Sequence, residues 1–179
     1  MSYTTFRSPA IVIAHTPRGE ADRMVTLLTK DHGVITARVQ SARKITSRLR
    51  YGTQFLMQGI FEYIRARETW RLIGVHDTNL LDIPAEKIQH LAPLCRDITY
   101  FVQGEEECKD IYNTCVDILS LGNRENFPDR VLQARIRTLH LLGYIDLDGD
   151  ELDSSEKLPA DTVQKYHQMI LNAYQVSQM

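Results

Sequence analysis

The chain has few cysteines, and no two of them are spaced for a metal site. Its 179 residues include three, Cys95, Cys108 and Cys115, and none of them belongs to a CxxC pair. A zinc site built on thiolates is therefore not expected, and we interpret all three as small apolar side chains of the interior. Long apolar runs are also missing, because no stretch approaches the ~20 apolar residues that a membrane-spanning helix requires.

The motifs of common enzyme classes are missing as well. The sequence contains no glycine-rich phosphate loop, no HExxH and no GxSxG. Its six histidines are scattered, and the amphipathic pattern around His140 predicts a position on a helix surface or at a core edge. We therefore expect no catalytic residue, no metal, no cofactor and no enzymatic activity. The N-terminus lacks a basic leader and a cleavage pattern, so we expect a cytoplasmic protein without a signal peptide.

A run of acidic residues surrounds Gly149 in the segment DLDGDELD, residues 146–153. An EF-hand calcium loop needs glycine at its sixth position and glutamate at its twelfth. Counted from Asp146, these positions hold Glu151 and Lys157. The spacing fails, and we interpret the segment as an exposed acidic turn.

The two parts of the chain differ in charge, although the whole has a formal net charge of only -2. Residues 1–80 hold twelve basic and six acidic side chains, a net charge of +6, which leaves -8 for the remainder. An asymmetry of this size indicates two surfaces with different partners.

The period of the hydrophobic pattern changes near residue 82. Before it, short apolar runs alternate with turns, and the turn DHG separates two runs that predict a hairpin. After it, apolar residues recur every three to four positions in four segments, as in a helical bundle. We predict an α+β protein with a five-stranded oligonucleotide-binding (OB-fold) barrel at residues 1–81 and an all-α helical domain at residues 82–179. The strand-like runs are PAIVIAHT, MVTLLTK, VITARVQ, QFLMQGIFEYIR and ETWRLIGVHDTNLL.

The segment SARKITSRLR, residues 41–50, concentrates basic residues and contains no acid. It is either a solvated loop or a surface for a polyanion. Barrels of the predicted type bind single strands through a basic groove that follows the phosphates, with aromatic rings that stack on bases. Tyr51, Phe55 and Tyr63 are available for stacking, but core packing is the interpretation that we favour for each. Trp70 could also stack on a base, but we expect it in the strand core or on the barrel surface.

The stretch AIVIAHTPRGEADRMVTLLTKDHGVITARVQSARKITSRLRYGTQFLMQGIFEY resembles the N-terminal region of the bacterial RecO family of recombination mediators. In that family an apolar strand precedes a Gly-Glu-x-Asp-Arg turn, a VTLLT strand, a His-Gly turn and a basic segment that ends in Ser-Arg-Leu-Arg. The segment LHLLGYIDL, residues 139–147, is similar to the LLxxLGYxPxL segment of the family's helical domain. The matching positions, in order, are Gly19, Glu20, Asp22, Arg23, His32, Gly33, Arg43, Ser47, Arg48, Leu49 and Arg50.

The resemblance implies an OB-fold barrel followed by a helical domain, and a role in DNA repair and homologous recombination. RecO-like proteins bind single- and double-stranded DNA, anneal complementary strands and, with RecR, help to load RecA. They also engage the acidic C-terminal tail of the single-stranded-DNA-binding protein. We therefore expect these partners, association with the nucleoid, and DNA contacts at basic residues of the first domain. The expected contacts are Arg18, Arg23, Arg38, Arg43, Lys44, Arg48, Arg50, Arg65 and Arg67.

The chain departs from the family pattern in two respects. Many relatives carry a four-cysteine zinc module just after LGY, where this chain has IDLDGDELDSSEKLP, so we expect no zinc. The chain is also shorter than the usual member, and the difference falls in the domain where relatives dock the acidic tail. We therefore expect DNA binding more firmly than docking of that tail.

Two other ligands fit the same residues. A scaffold protein with this barrel would use the basic segment for acidic peptides, because arginine clusters bind acidic motifs as well as phosphates. An RNA-binding barrel would differ only in its choice of ligand, through contacts to the 2′-hydroxyl.

Overall fold

The computed structural model describes residues 4–80, 83–122, 126–147 and 157–178. The chain divides into two compact units. One unit is Met1–Leu81 with Gln103–Tyr112, and the other is Asp82–Val102 with Asn113–Met179. Most of the acidic turn predicted at residues 146–153 lies outside the described residues.

The strands of the first unit form a closed barrel with the order β1-β2-β3-β5-β4. The barrel closes where β4 pairs with β1, and β3 pairs with β5 in parallel, while the other pairs are antiparallel. This architecture confirms the predicted fold class, a five-stranded barrel of the OB type followed by helices. The strands are β1 (Thr5–Arg18), β2 (Asp22–Thr29), β3 (Val34–Val39), β4 (Met57–Ala66) and β5 (Thr69–Leu80).

The barrel forms because β3, β4 and the start of β5 alternate buried and more exposed side chains, while β1 and β2 contain runs of buried residues. In β4, Phe61 and Tyr63 are fully buried, whereas Glu62 between them is only half-buried. A period of two places successive side chains on opposite faces of a strand, so the buried set points into the barrel. Each large apolar side chain buried in this way contributes about 1.5–3 kcal/mol.

Helices make up the second unit, and they coincide with the four amphipathic segments of the sequence. Their shared core includes Phe101, Ile136, Leu139 and Tyr166, all of which are buried. Among the described helices, none has both the length and the apolar run needed to cross a membrane. The helices of the second unit are α2 (Ala85–Phe101), α3 (Lys109–Ser120, whose first turn is grouped with the barrel), α4 (Phe127–Leu141) and α5 (Ala160–Val176). The first unit contains α1 (Leu49–Gly52), a single turn between β3 and β4.

A buried ion pair joins three of these helices. Asp97 of α2, which is 1% exposed, accepts a hydrogen bond from Nε of Arg135 in α4 at 2.6 Å. The other oxygen of the same carboxylate accepts the hydroxyl of Tyr174 in α5 at 2.7 Å. Burial, followed by its bond to Asp97, raises the pKa of Tyr174. The ion pair thus links α2 to α4, the Tyr174 hydroxyl links α5 to the same carboxylate, and loss of either charge would leave the other buried without its partner.

The segment between α2 and α3 belongs with the barrel. The Cys108 amide donates to the Lys30 carbonyl at 3.2 Å, and the Cys108 thiol donates to the Thr29 carbonyl at 3.1 Å. Burial raises the pKa of this thiol to about 11. The sequence assigned all of residues 82–179 to the helical domain, whereas the structure groups Gln103–Tyr112 with the barrel through these contacts. The division into a DNA-binding and a helical domain otherwise stays a prediction.

Candidate nucleic-acid interface

The register of the barrel brings the β1–β2 turn and the β4–β5 turn to one rim. Arg18 at the end of β1 pairs with Asp22 at the start of β2, and β2 pairs there with the end of β3. Near its end, β3 pairs with the start of β5, where Ala37 lies opposite Trp70. In OB folds this rim and the adjacent β2–β3 face are the usual ligand surface. A basic residue is therefore a candidate nucleic-acid contact when its side chain is exposed at this rim.

Asp22 organises the outer face of this rim. Nε of Arg38 donates to Asp22 Oδ2 at 2.7 Å, and the Ser41 amide donates to Oδ1 at 2.8 Å. The hydrogen bond from Ser41, followed by the one from Arg38, holds the pKa of Asp22 below its usual range. Beside them, Nη1 of Arg18 lies 3.3 Å from the thioether sulfur of Met24. Asp22 thus orients Arg38 and fixes the start of the loop that follows β3.

The connection between β3 and β4, residues 40–56, is called the basic loop here, and it lies against the β1–β2 turn. The Arg43 amide donates to the Ala21 carbonyl at 2.9 Å, and its guanidinium Nη1 donates to the Gly19 carbonyl at 2.9 Å. The loop contains no acidic residue. Its positive charge therefore stays available to a ligand. Its exposed basic side chains are Arg43, Lys44 and Arg48.

Two apolar side chains of the basic loop are exposed among these cations. Ile45 is 86% exposed and Tyr51 is 65% exposed. The guanidinium of Arg50 lies 5.9 Å from the centre of the Tyr51 ring. Exposed rings and aliphatic side chains next to cations offer contacts to unstacked bases. Phe55, the other aromatic residue of the loop, is half-buried.

Arg23 points to the inside of this rim and has an internal partner. Its Nη1 donates to the Thr53 carbonyl at 2.9 Å and to the Thr53 hydroxyl at 3.0 Å, and that hydroxyl donates to the Leu49 carbonyl at 2.7 Å. Burial, followed by the charges of Arg43 and Arg50, lowers the pKa of Arg23. Arg23 therefore holds α1 against the barrel, and its contact with DNA stays a prediction.

Arg65 forms an ion pair with Glu105. Its Nη1 donates to Glu105 Oε2 at 2.7 Å, and its guanidinium lies 5.3 Å from the centre of the Trp70 ring. Trp70 is only 7% exposed and donates its indole N–H to Glu105 Oε1 at 2.8 Å. Core packing is thus confirmed for Trp70. Arg67, in the β4–β5 turn, is exposed.

Tyr63 is fully buried, which confirms core packing for this ring as well. Its hydroxyl shares a 2.8 Å hydrogen bond with Nδ1 of His32. Burial raises the pKa of Tyr63 to about 12. A base cannot stack on this ring. For Tyr51 the expectation of core packing is wrong, because this ring is 65% exposed, and it is the stacking candidate with the most accessible surface.

Arg71 is not among the DNA contacts expected from the sequence. This exposed residue of β5 lies opposite Arg38 in the parallel β3–β5 pair. Its place between the buried Trp70 and Leu72 marks it as outward-facing, since side chains alternate along a strand. Its neighbour across the sheet depends on the barrel topology, which the sequence alone does not give.

Comparisons with known proteins agree with this fold. Residues 1–79 match the family model described as Recombination protein O N terminal. The chain is also similar to proteins named DNA repair protein RecO, of which three serve as examples. The one from Heliobacterium modesticaldum is 35% identical over 97 residues, which are 54% of this chain and 32% of the relative. The one from Gloeothece citriformis is 33% identical over 94 residues, or 52% and 30%.

The relative from Thermodesulfovibrio yellowstonii is 26% identical over 150 residues, which are 81% of this chain and 59% of the relative. The chain therefore spans less than two thirds of the length of each of these relatives. The resemblance found in the sequence is confirmed. Residues 1–79, less than half of the chain, are thus similar to the N-terminal domain of RecO proteins, and each of these relatives is covered only in part.

Proposed function

We propose that this chain is a non-enzymatic DNA-binding protein of DNA repair and homologous recombination. The basic loop carries the proposal, because it offers exposed cations, no acid, and the exposed Ile45 and Tyr51 at the rim where OB barrels hold their ligands. Similarity to the RecO N-terminal domain supports the repair role, since the relatives are named for it.

Phosphate neutralisation supplies the affinity in this proposal. Each phosphate that meets an arginine or lysine releases counterions, so binding weakens steeply as salt rises. We assign the main phosphate contacts to Arg38 and to the cations of the basic loop, and Arg18, Arg65 and Arg67 extend the surface. Contacts of this kind do not depend on base sequence, and they suit single and double strands alike.

Annealing of complementary strands follows from the same surface. Two phosphate backbones repel each other, and a cationic surface that neutralises both lowers the repulsion during pairing. We propose further that the protein acts with RecR to load RecA and engages the acidic tail of the single-stranded-DNA-binding protein. Similarity to RecO proteins alone supports these partners, and it supports action in the cytoplasm at the nucleoid.

Competition binding tests the proposal against its alternatives. A fluorescent single-stranded DNA is titrated with the protein, and unlabelled DNA, RNA of the same sequence and an acidic peptide are added as competitors. The proposal predicts displacement by single- and double-stranded DNA at low concentration, and only weak displacement by the peptide. Stronger displacement by the peptide would identify a peptide-binding scaffold, and stronger displacement by RNA would identify an RNA-binding barrel.

A further inference from the structure

Two arginines lie directly opposite each other in the barrel sheet. The parallel pairing of β3 with β5 places Arg38 opposite Arg71. Both side chains point away from the core, since their neighbours Ala37, Val39, Trp70 and Leu72 are buried. Neighbouring strands are about 4.8 Å apart, and like charges at opposite positions destabilise a sheet. By this rule the Arg38–Arg71 pair is unfavourable in the free protein, and the ion pair of Arg38 with Asp22 offsets part of the repulsion.

The same two arginines line a small cavity on the outer surface of the barrel. Its volume is about 100 Å³, and its wall also includes Arg18, Thr69 and the β4 residue Ala66. A cavity of this size has room for a group such as phosphate. Three guanidinium groups and a threonine hydroxyl offer hydrogen-bond donors for such an anion.

The charges around the cavity do not balance. Asp22 is the carboxylate that contacts this cluster, and it binds Arg38 and the Ser41 amide. Within the part of the chain that the structure describes, the Arg71 side chain has no ion-pair partner. Arg18 contacts a thioether, which is a weak acceptor. The cluster thus holds three cations against one anion, and a bound anion would remove the repulsion between Arg38 and Arg71.

We propose that this cavity is a binding site for one phosphate group of a nucleic-acid strand, held jointly by Arg18, Arg38 and Arg71. The inference rests on the proposed function and adds a site to it, since the cavity lies on the β3–β5 face and outside the basic loop. It also gives Arg71 a role, because a sheet position that costs stability is expected where it serves a ligand.

A test in two arms separates this site from the proposed function. The first arm measures the melting temperature of the protein in phosphate and in chloride at equal ionic strength. Phosphate raises the melting temperature of the wild type and raises that of Arg71→Gln less. Without phosphate, Arg71→Gln melts at or above the wild-type temperature, because the repulsion from Arg38 is gone. A lower melting temperature, or an equal response to phosphate, would overturn the site.

The second arm measures oligonucleotide affinity across a salt series. Loss of one phosphate contact lowers the slope of log affinity against log salt by about 0.7 for a single strand. Because one phosphate is shared, the double variant Arg18→Gln/Arg71→Gln loses no more slope than Arg71→Gln alone. A doubled loss would mean that the arginines act separately. Strands with and without a 5′-phosphate distinguish a terminal phosphate from an internal one.

Arg7→Gln is the matched control for both arms. Arg7 is an exposed arginine of β1 that lies near Glu62, outside the cavity and the basic loop. If the wild type binds DNA and Arg71→Gln behaves like Arg7→Gln, the phosphate site is wrong and the proposed function stands. If phosphate stabilises the wild type but no strand binds, the proposed function fails and the cavity is an adventitious anion site, which also overturns its role in strand binding.

Discussion

One carboxylate, that of Glu105, accepts the indole N–H of Trp70 at 2.8 Å and the guanidinium of Arg65 at 2.7 Å. The segment that carries Glu105 joins α2 to α3 and is anchored to the barrel at Cys108. Glu105 is thus ion-paired with Arg65, and it competes with any phosphate for this guanidinium. This contact limits the contribution of Arg65 to the proposed DNA surface.

Replacement of Glu105 by glutamine tests that competition. The amide keeps an oxygen for Trp70 and removes the charge beside Arg65, so affinity for single-stranded DNA at low salt is expected to rise. Stability is expected to fall by less than about 1 kcal/mol, because the ion pair is exposed. Glu106→Gln, which makes the same charge change one residue along, is the control. An equal rise in DNA affinity in both variants would mean that the net charge, and not the contact with Arg65, causes the effect.

Gly33→Ala is expected to destabilise the barrel strongly. Gly33 has φ +61°, and an added Cβ would lie 2.8 Å from the Glu106 carbonyl oxygen and 3.0 Å from that of Gly104. Gly19→Ala is the control, because Gly19 has φ +60° with no atom within 4 Å of the added Cβ. The left-handed conformation alone costs about 1–2 kcal/mol. Urea unfolding followed by Trp70 fluorescence should show a larger loss of unfolding free energy for Gly33→Ala than for Gly19→Ala. Equal losses would mean that the segment with Gly104 and Glu106 does not pack against Gly33.

Asp97→Asn tests the buried ion pair of the helical unit. The variant leaves the guanidinium of Arg135, 15% exposed, without its counter-charge, while the asparagine oxygen can still accept the Tyr174 hydroxyl. Loss of one partner of a buried pair costs about 3–5 kcal/mol. Urea unfolding followed by far-ultraviolet circular dichroism measures the loss. A cost under about 1 kcal/mol, as for an exposed pair, would show that Asp97 and Arg135 are solvated.

The raised pKa of Tyr63 leads us to expect a loss of stability at alkaline pH. Burial raises its pKa from 10.0 to about 12. The folded state holds the phenolic proton more tightly than the unfolded state, so this stabilisation is complete below pH 10 and is lost as pH rises to about 12. Tyr63→Phe should unfold with a smaller alkaline decline than the wild type. Identical declines would assign the effect to other groups, such as the Cys108 thiol with its pKa of about 11.

The parts of the fold that follow from local sequence were predictable. The β2–β3 hairpin follows from the apolar runs on either side of Gly33, whose positive φ suits the turn. The helices follow from apolar spacing of three and four residues. The inward-facing position of Arg23 could also have been predicted, since Arg23, Val25 and Leu27 share one face of β2.

Contacts between distant segments were not predictable in the same way. Cys108 meets Thr29 across 79 positions of the chain, and no local pattern at Gln103–Tyr112 indicates that this segment packs on the barrel. The pair of Arg38 with Arg71 likewise depends on the parallel register of β3 with β5. Such contacts come from the closed barrel as a whole, and they decide which arginines remain free for a ligand.

The central claim is that the basic loop binds the phosphates of DNA. The most direct test titrates a fluorescent single-stranded DNA with the wild type and with Arg48→Glu/Arg50→Glu across a salt series, with Arg7→Gln as the control. The wild type and the control are expected to show a steep salt dependence, and the double variant a slope smaller by about 1.4, as for two lost contacts. Unchanged affinity and slope in a folded double variant would show that the basic loop does not bind the phosphates.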